Sequence, residues 1–347
     1  MSGKVRILVI GAGLVGHRHV RHVVKETRCE PAAVVDSDLQ KKPLADEAGV
    51  PFYTNLEQAL GEVRADAAII ATPNQTHTRI GIQCLERGLH ILVETPIDAD
   101  PAAARCLIET AGGNGLGLLV GHHRRFNPFV QATKRILAEG NLGRIEAVNV
   151  LWTLLKPQEY FRAAAWRCEP GGGPILINFI HDIDNLRYFF GDIDRIFAET
   201  STKARDLAVE DTAVVTFRFA SGLLGSAVIS DTVASPYSFE ATTGENPLVF
   251  HTRQDCYRIF GSRGVLSFPD MTVWSYGKDD EGWEHPILSE SVEVTKTAPL
   301  DEQLRHFCDV IEKGTEPMCP GADALKTLEA TLAIGESARS GLPVNLT

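Results

Sequence analysis

Apolar positions in the first third of this chain come in short continuous runs, each closed by glycine, proline or a polar cluster. The runs are Val5-Arg6-Ile7-Leu8-Val9-Ile10, Ala32-Ala33-Val34-Val35, Ala67–Ala71, Leu89–Val93 and Leu116–Val120. They are too short for buried helices, and they lack the alternation of a strand with one wet face. They therefore predict strands buried on both sides. A further short strand is predicted at Pro51–Tyr53. Between the runs, helical patterns lie near Lys41–Ala48, at Thr76–Arg87 (stopped by Gly88) and from Pro101 to Gly112-Gly113. Strand and helix in alternation predict a parallel sheet covered on both faces.

Past His122 the pattern changes. Helices are predicted near Pro128–Glu139, Ile175–Phe190, Asp301–Glu312 and Asp323–Arg339. The rest is strand-like: Ile145–Leu155, Ala213–Phe219, Leu223–Ser230 and Val265–Phe268, separated by turns such as Ala220-Ser221-Gly222. This predicts an open, mainly antiparallel sheet. The fold class expected is α/β: a dinucleotide-binding domain over residues 1–122, then a second α/β domain over 123–347 for substrate binding and oligomerisation. The C-terminal helix is free to pack back on the first domain. A large open sheet must cover its second face, so a homodimer or homotetramer through that sheet is expected.

The chemistry sits at the ends of the predicted strands, where open α/β sheets bind their ligands. The first strand runs into Gly11-Ala12-Gly13-Leu14-Val15-Gly16, and the second ends in Asp36. In this context the glycines are a dinucleotide fingerprint. Gly11 makes the tight turn, Gly13 lets a pyrophosphate reach the backbone, and Gly16 lets the helix approach the strand. The pyrophosphate meets free N–H groups at a helix N-terminus. Asp36 suits the ribose hydroxyls and repels a 2′-phosphate, which favours NAD over NADP. Three more strand ends should join this cleft: Thr72-Pro73-Asn74, Glu94-Thr95-Pro96 and His122 to Arg125.

In the second part Trp166-Arg167 precede Gly171-Gly172-Gly173-Pro174 and a helix carrying Asn178, His181 and Asn185 as a polar stripe. Histidine serves as acid or base near neutral pH, so His181 is the candidate proton carrier. His122, Arg124, Trp166, Arg167, Asn178 and His181 are the candidate substrate contacts, and the basic ones hint at an anionic group on the substrate.

Composition excludes several classes. The net charge of −11 argues against nucleic acid and anionic membrane as partners. No apolar run approaches membrane-spanning length. The 7 cysteines are scattered, and neither they nor the histidines show metal-ligand spacing, so no metal is expected. Reduced thiols and a chain that enters its first strand without a leader are expected of a cytoplasmic protein.

On these motifs, over essentially its whole length, the sequence resembles the Gfo/Idh/MocA oxidoreductases. The resemblance rests on Gly11 to Gly16, Ala71-Thr72-Pro73-Asn74 with His77, Glu94-Thr95-Pro96, Gly121 to Pro128 and Gly171 to Asp184. It implies NAD-dependent hydride transfer to or from a carbinol of a sugar, polyol or hydroxy acid. It places Gly11, Gly13, Leu14, Val15, Gly16, Asp36, Thr72, Pro73, Asn74, His77, Glu94, Thr95 and Pro96 at the cofactor, and His181, Thr95 and Asn178 at the chemistry. Family members usually carry lysine where this chain has Thr95, and many carry aspartate where it has Ile177. Thr95 cannot hold a proton near neutral pH. The alternatives are therefore an NAD-retaining lyase or glycoside hydrolase without net redox, or an NAD-binding protein with impaired turnover.

Overall fold

The computed structural model describes residues 3–246, 248–277 and 282–346. The chain forms two compact units. One runs through Phe126 and includes Thr297–Leu328; the other comprises Asn127–Lys296 and the chain from Glu329 onward.

In the first unit six strands form one parallel sheet: β1 (Val5–Ile10), β2 (Cys29–Val35), β3 (Phe52–Tyr53), β4 (Ala67–Ile70), β5 (His90–Val93) and β6 (Leu118–Val120). Their order is β3-β2-β1-β4-β5-β6. Every neighbouring pair is parallel. All four residues of β4 and the last four of β1 are buried, as their unbroken apolar runs require. The strand order reverses between β1 and β4, the switch point where such sheets bind ligands. The helices follow local signals. That at Pro101–Asn114 has proline in its first turn and the Asp100 carboxylate accepting from Ala102 N–H at 2.9 Å.

The unit boundary differs from the predicted break at His122. After β6 a 3₁₀ turn, His123–Phe126, stays with the first unit. There the Arg125 guanidinium donates to Met318 O at 2.9 Å and pairs with Asp323 at 2.6 Å. The helix Pro299–Lys313 belongs to this unit as well. Arg28 binds Asp309 at 2.7 Å and Glu312 at 2.5 Å, and Arg305 binds Glu26 at 3.1 Å. The helix Gly321–Ser340 has its first turns in one unit and its later turns in the other.

Among the described residues the second unit holds a nine-stranded sheet. Its strands are β7 (Ile145–Thr153), β8 (Ile193–Ser201), β9 (Thr212–Phe219), β10 (Leu224–Ser230), β11 (Tyr257–Gly261), β12 (Gly264–Phe268), β13 (Thr272–Ser275), β14 (Leu288–Ser291) and β15 (Val344–Asn345). The order is β14-β13-β12-β11-β7-β10-β9-β8-β15. Only β7 and β10 run parallel. One sheet face forms a core with Phe179, Ile183 and Leu186 on one helical segment and Val130 and Ile136 on another. From Ala213 on, β9 alternates between buried and exposed residues, so the other face is open. On it Val214 is 51% and Leu224 57% exposed.

Candidate active site

The fingerprint loop has the geometry its glycines imply. Gly11 sits at φ +91°, and a Cβ there would lie 2.4 Å from Ala71 O. A Cβ on Gly16 would lie 1.8 Å from Gly11 O. At Gly13, by contrast, a Cβ would meet nothing within 4 Å. Gly13 is the N-cap residue of the helix Leu14–Lys25 and has no side chain to satisfy the first N–H groups. This end of the helix is therefore open, amide-lined and electropositive, as a pyrophosphate needs. Leu14 and Val15 are 67% and 40% exposed beside it. Asp36 is locked into the same loop: Oδ2 accepts from Ala12 N–H at 2.7 Å and Oδ1 from Asp38 N–H at 2.9 Å. Its fixed negative charge suits a ribose diol. These residues fit NAD.

Two further strand ends are tied together beneath this loop. His77, expected at the cofactor, is fully buried. Its Nδ1 lies 2.9 Å from Pro96 O and its Nε2 2.8 Å from Thr72 O. The ring thus holds the loop after β4 to the loop after β5, while Thr72, Pro73 and Asn74 themselves stay accessible. Glu94 at the end of β5 is also engaged. Its Oε1 lies 2.6 Å from His19 Nε2, and Oε2 accepts from Thr95 N–H at 3.3 Å. Burial by itself would raise the Glu94 pKa. The hydrogen bond and charge of His19, with the charge of His123, outweigh it and hold the carboxyl below its ordinary value. A Cβ on Gly121 would lie 2.9 Å from Glu94 Oε2, which explains that glycine. The signal for His19 was present but faint: a histidine on the buried face of an amphipathic helix. In the basic run His122 and Arg124 are buried, and Arg125 is committed to Asp323.

In the second unit two glycines of the triplet are dictated by their neighbours. A Cβ on Gly172 would lie 2.4 Å from Trp166 O, and one on Gly173 would lie 2.2 Å from Glu210 Oε1. That oxygen accepts from Ile175 N–H at 3.0 Å, and burial pushes the Glu210 pKa up. Trp166 is 53% exposed. Arg167 donates to Tyr160 O at 2.6 Å and lies 3.9 Å from the centre of the Tyr160 ring.

The predicted helix over Ile175–Phe190 begins as a π-helical turn, Ile175–Phe179, and continues as α-helix from Ile180 to Phe190. Such turns recur at functional sites. The predicted stripe divides along it. Asn185 is fully buried, and its Nδ2 donates to Tyr257 Oη at 3.3 Å, so it serves the core. Asn178 and His181 are half-buried. Asn178 Oδ1 accepts from Lys156 Nζ at 2.9 Å. Sequence reasoning missed Lys156, whose apolar neighbours Leu154 and Leu155 read only as the end of a strand.

Comparison with known proteins agrees with this architecture. Residues 5–122 match the oxidoreductase family with an NAD-binding Rossmann fold. Residues 130–267 match the GFO/IDH/MocA C-terminal domain. The chain is 25% identical over 346 residues to inositol 2-dehydrogenase of Rhizobium meliloti (strain 1021), with 96% of each protein covered. It is 26% identical over 337 residues to 1,5-anhydro-D-fructose reductase of Ensifer adhaerens, again with 96% of each covered. In fold it is similar to the WlbA dehydrogenase of Bordetella pertussis, solved with NADH and UDP-GlcNAcA: TM-score 0.80, 22% identity, 99% of each chain covered. Both halves of the chain thus match the two domains of one family, and the protein belongs to the Gfo/Idh/MocA oxidoreductases.

Proposed function

We propose that this protein is an NAD-dependent dehydrogenase acting on a carbinol of a polyol, sugar or hydroxy acid, with His181 as its proton carrier. The observation that carries the reading is the His181 segment: a π-helical turn after two sterically required glycines, Gly172 and Gly173, presenting a half-buried histidine and a half-buried amide three residues apart. The relatives named above act on polyols and sugar derivatives, which supports this substrate class.

Bound NAD supplies the hydride acceptor in the oxidative direction. The open N–H groups at Gly13 to Gly16 would hold its pyrophosphate, and Asp36 its ribose. Thr72, Pro73 and Asn74, with Thr95 and Pro96, would hold the rest of the cofactor. His181 takes the hydroxyl proton as the carbinol carbon loses its hydride, and returns it in the reverse direction. Asn178 orients the substrate oxygen. Trp166 and Arg167 wall the pocket. The open face of the nine-stranded sheet joins copies of the chain. No helix among the described residues is long and apolar enough to cross a membrane. The cysteines are free thiols, which suits a cytoplasmic enzyme.

The test is a panel of polyols, sugars and sugar acids with NAD, scored by NADH absorbance. At least one member should give stoichiometric NADH. Product release without NADH would point to a lyase or hydrolase. Tight NAD binding with no turnover of any member would point to a binding protein.

A further inference from the structure

Lys156 lies just beyond β7 and is 7% exposed. Burying an ammonium is costly unless its hydrogens find partners. Here Nζ lies 2.9 Å from Asn178 Oδ1 and 3.4 Å from Asp231 Oδ2. It also sits 4.9 Å from the centre of the Tyr160 ring and 5.5 Å from that of Trp152. Asp231 does not depend on this lysine, because Arg205 Nε binds its Oδ1 at 2.9 Å. The shorter contact of the ammonium is to the amide.

We propose that Lys156 is a positioning residue for the reaction: it grips the Asn178 carboxamide by its oxygen and so turns the Nδ2 amide toward the substrate's reacting oxygen. The inference rests on the roles of Asn178 and His181 given above. An ammonium has three donors and no acceptor, so the atom facing it is the amide oxygen. Nδ2 must then point elsewhere. It makes no hydrogen bond among the described residues, and Asn178 is only half-buried, so this donor is available to a ligand.

A cation on the oxygen also polarises the amide and strengthens its N–H groups as donors. When His181 removes the hydroxyl proton, the substrate oxygen gains negative charge. A polarised, pre-aimed N–H stabilises that charge more than it stabilises the neutral hydroxyl. The effect therefore falls on kcat more than on KM. Burial depresses the Lys156 pKa and Asp231 opposes the change, so the carboxylate helps keep a cation at this buried position.

The experiment is a double-mutant cycle at saturating NAD, on the member of the polyol and sugar panel with the highest turnover. Asn178→Ala and Lys156→Met should each lower kcat by about 10- to 100-fold with little change in KM. The double variant should be no slower than Asn178→Ala alone, because the lysine acts through the amide. Asn178→Asp keeps an acceptor for Lys156 but has no N–H, so it should be as slow as Asn178→Ala. In protein labelled with [15N]asparagine, the Asn178 Nδ2 resonance (identified by its loss in Asn178→Ala) should shift in Lys156→Met.

Losses that multiply in the double variant overturn the inference, as does an Asn178→Asp enzyme with parental kcat or an Nδ2 resonance that does not move. Should Lys156→Met fail to fold, Asn178→Asp decides. Parental rates in both Asn178→Ala and His181→Ala instead overturn the reading of the site itself.

Discussion

His181→Ala should lower kcat by about 10²–10⁴-fold, the usual contribution of one positioned acid–base group, and leave NAD affinity nearly unchanged. Steady-state rates with a fluorescence titration of NAD check both halves; near-normal kcat would make this histidine structural. Asp36 is expected to favour NAD over NADP by at least about tenfold, since about 1.4 kcal/mol of like-charge repulsion suffices. Titrating both cofactors tests it, and equal affinity would contradict it. Such residues are legible in sequence because their meaning is local. Gly11 to Gly16 form one turn, and Asp36 ends the adjacent strand, bonded to that turn. His19 and Lys156 are not legible, because their meaning comes from partners far along the chain. Glu94 lies 75 residues from His19, and the 22 residues between Lys156 and Asn178, unlike the 24 between Ala12 and Asp36, belong to no recognisable motif. Local spacing also cannot tell a histidine that touches a cofactor from one, like His77, that braces two loops from beneath.

Between elements, the His19–Glu94 pair ties the fingerprint helix to the end of β5. Glu94 binds its proton less readily folded than unfolded, because its pKa is lowered in the native state. Its stabilisation is therefore present above the ordinary carboxylate range and is lost as the pH falls through the lowered native value. Glu94→Gln should cost about 1.5–3 kcal/mol at neutral pH, as for a buried charge-assisted hydrogen bond, and progressively less as the medium is acidified. Denaturant melts of both proteins across acidic pH measure this; a constant difference would show that ionisation of Glu94 contributes nothing. The elements themselves were readable in proportion to their burial. β4 announces itself as an unbroken apolar run, and β5 as Ile91 to Val93. β14 is exposed along its whole length and carries no core-facing signal, and β13 has no fully buried residue.

For the whole molecule, the alternating open face of β9 and β10 is where we expect copies of the chain to meet. Val214→Glu with Leu224→Glu should shift the protein toward monomer in sedimentation velocity, since each adds a charge to an apolar contact. An unchanged sedimentation coefficient would move the interface elsewhere. The split between a parallel and a mainly antiparallel sheet was visible in the hydrophobic pattern. That the C-terminal helix could pack back on the first domain was legible, but not that the helix Pro299–Lys313 would go with it, because ion pairs such as Arg28 with Asp309 and Glu312 join segments distant in sequence. The central claim is that the protein carries out net hydride transfer from a carbinol to NAD. The most direct measurement uses the turned-over panel substrate with deuterium on its reacting carbinol carbon, followed by mass spectrometry of the nicotinamide product. One deuteron per reduced nicotinamide, formed in step with the oxidised substrate, is the expected result. Product accumulating with the nicotinamide unreduced, or reduced without deuterium, would contradict the account.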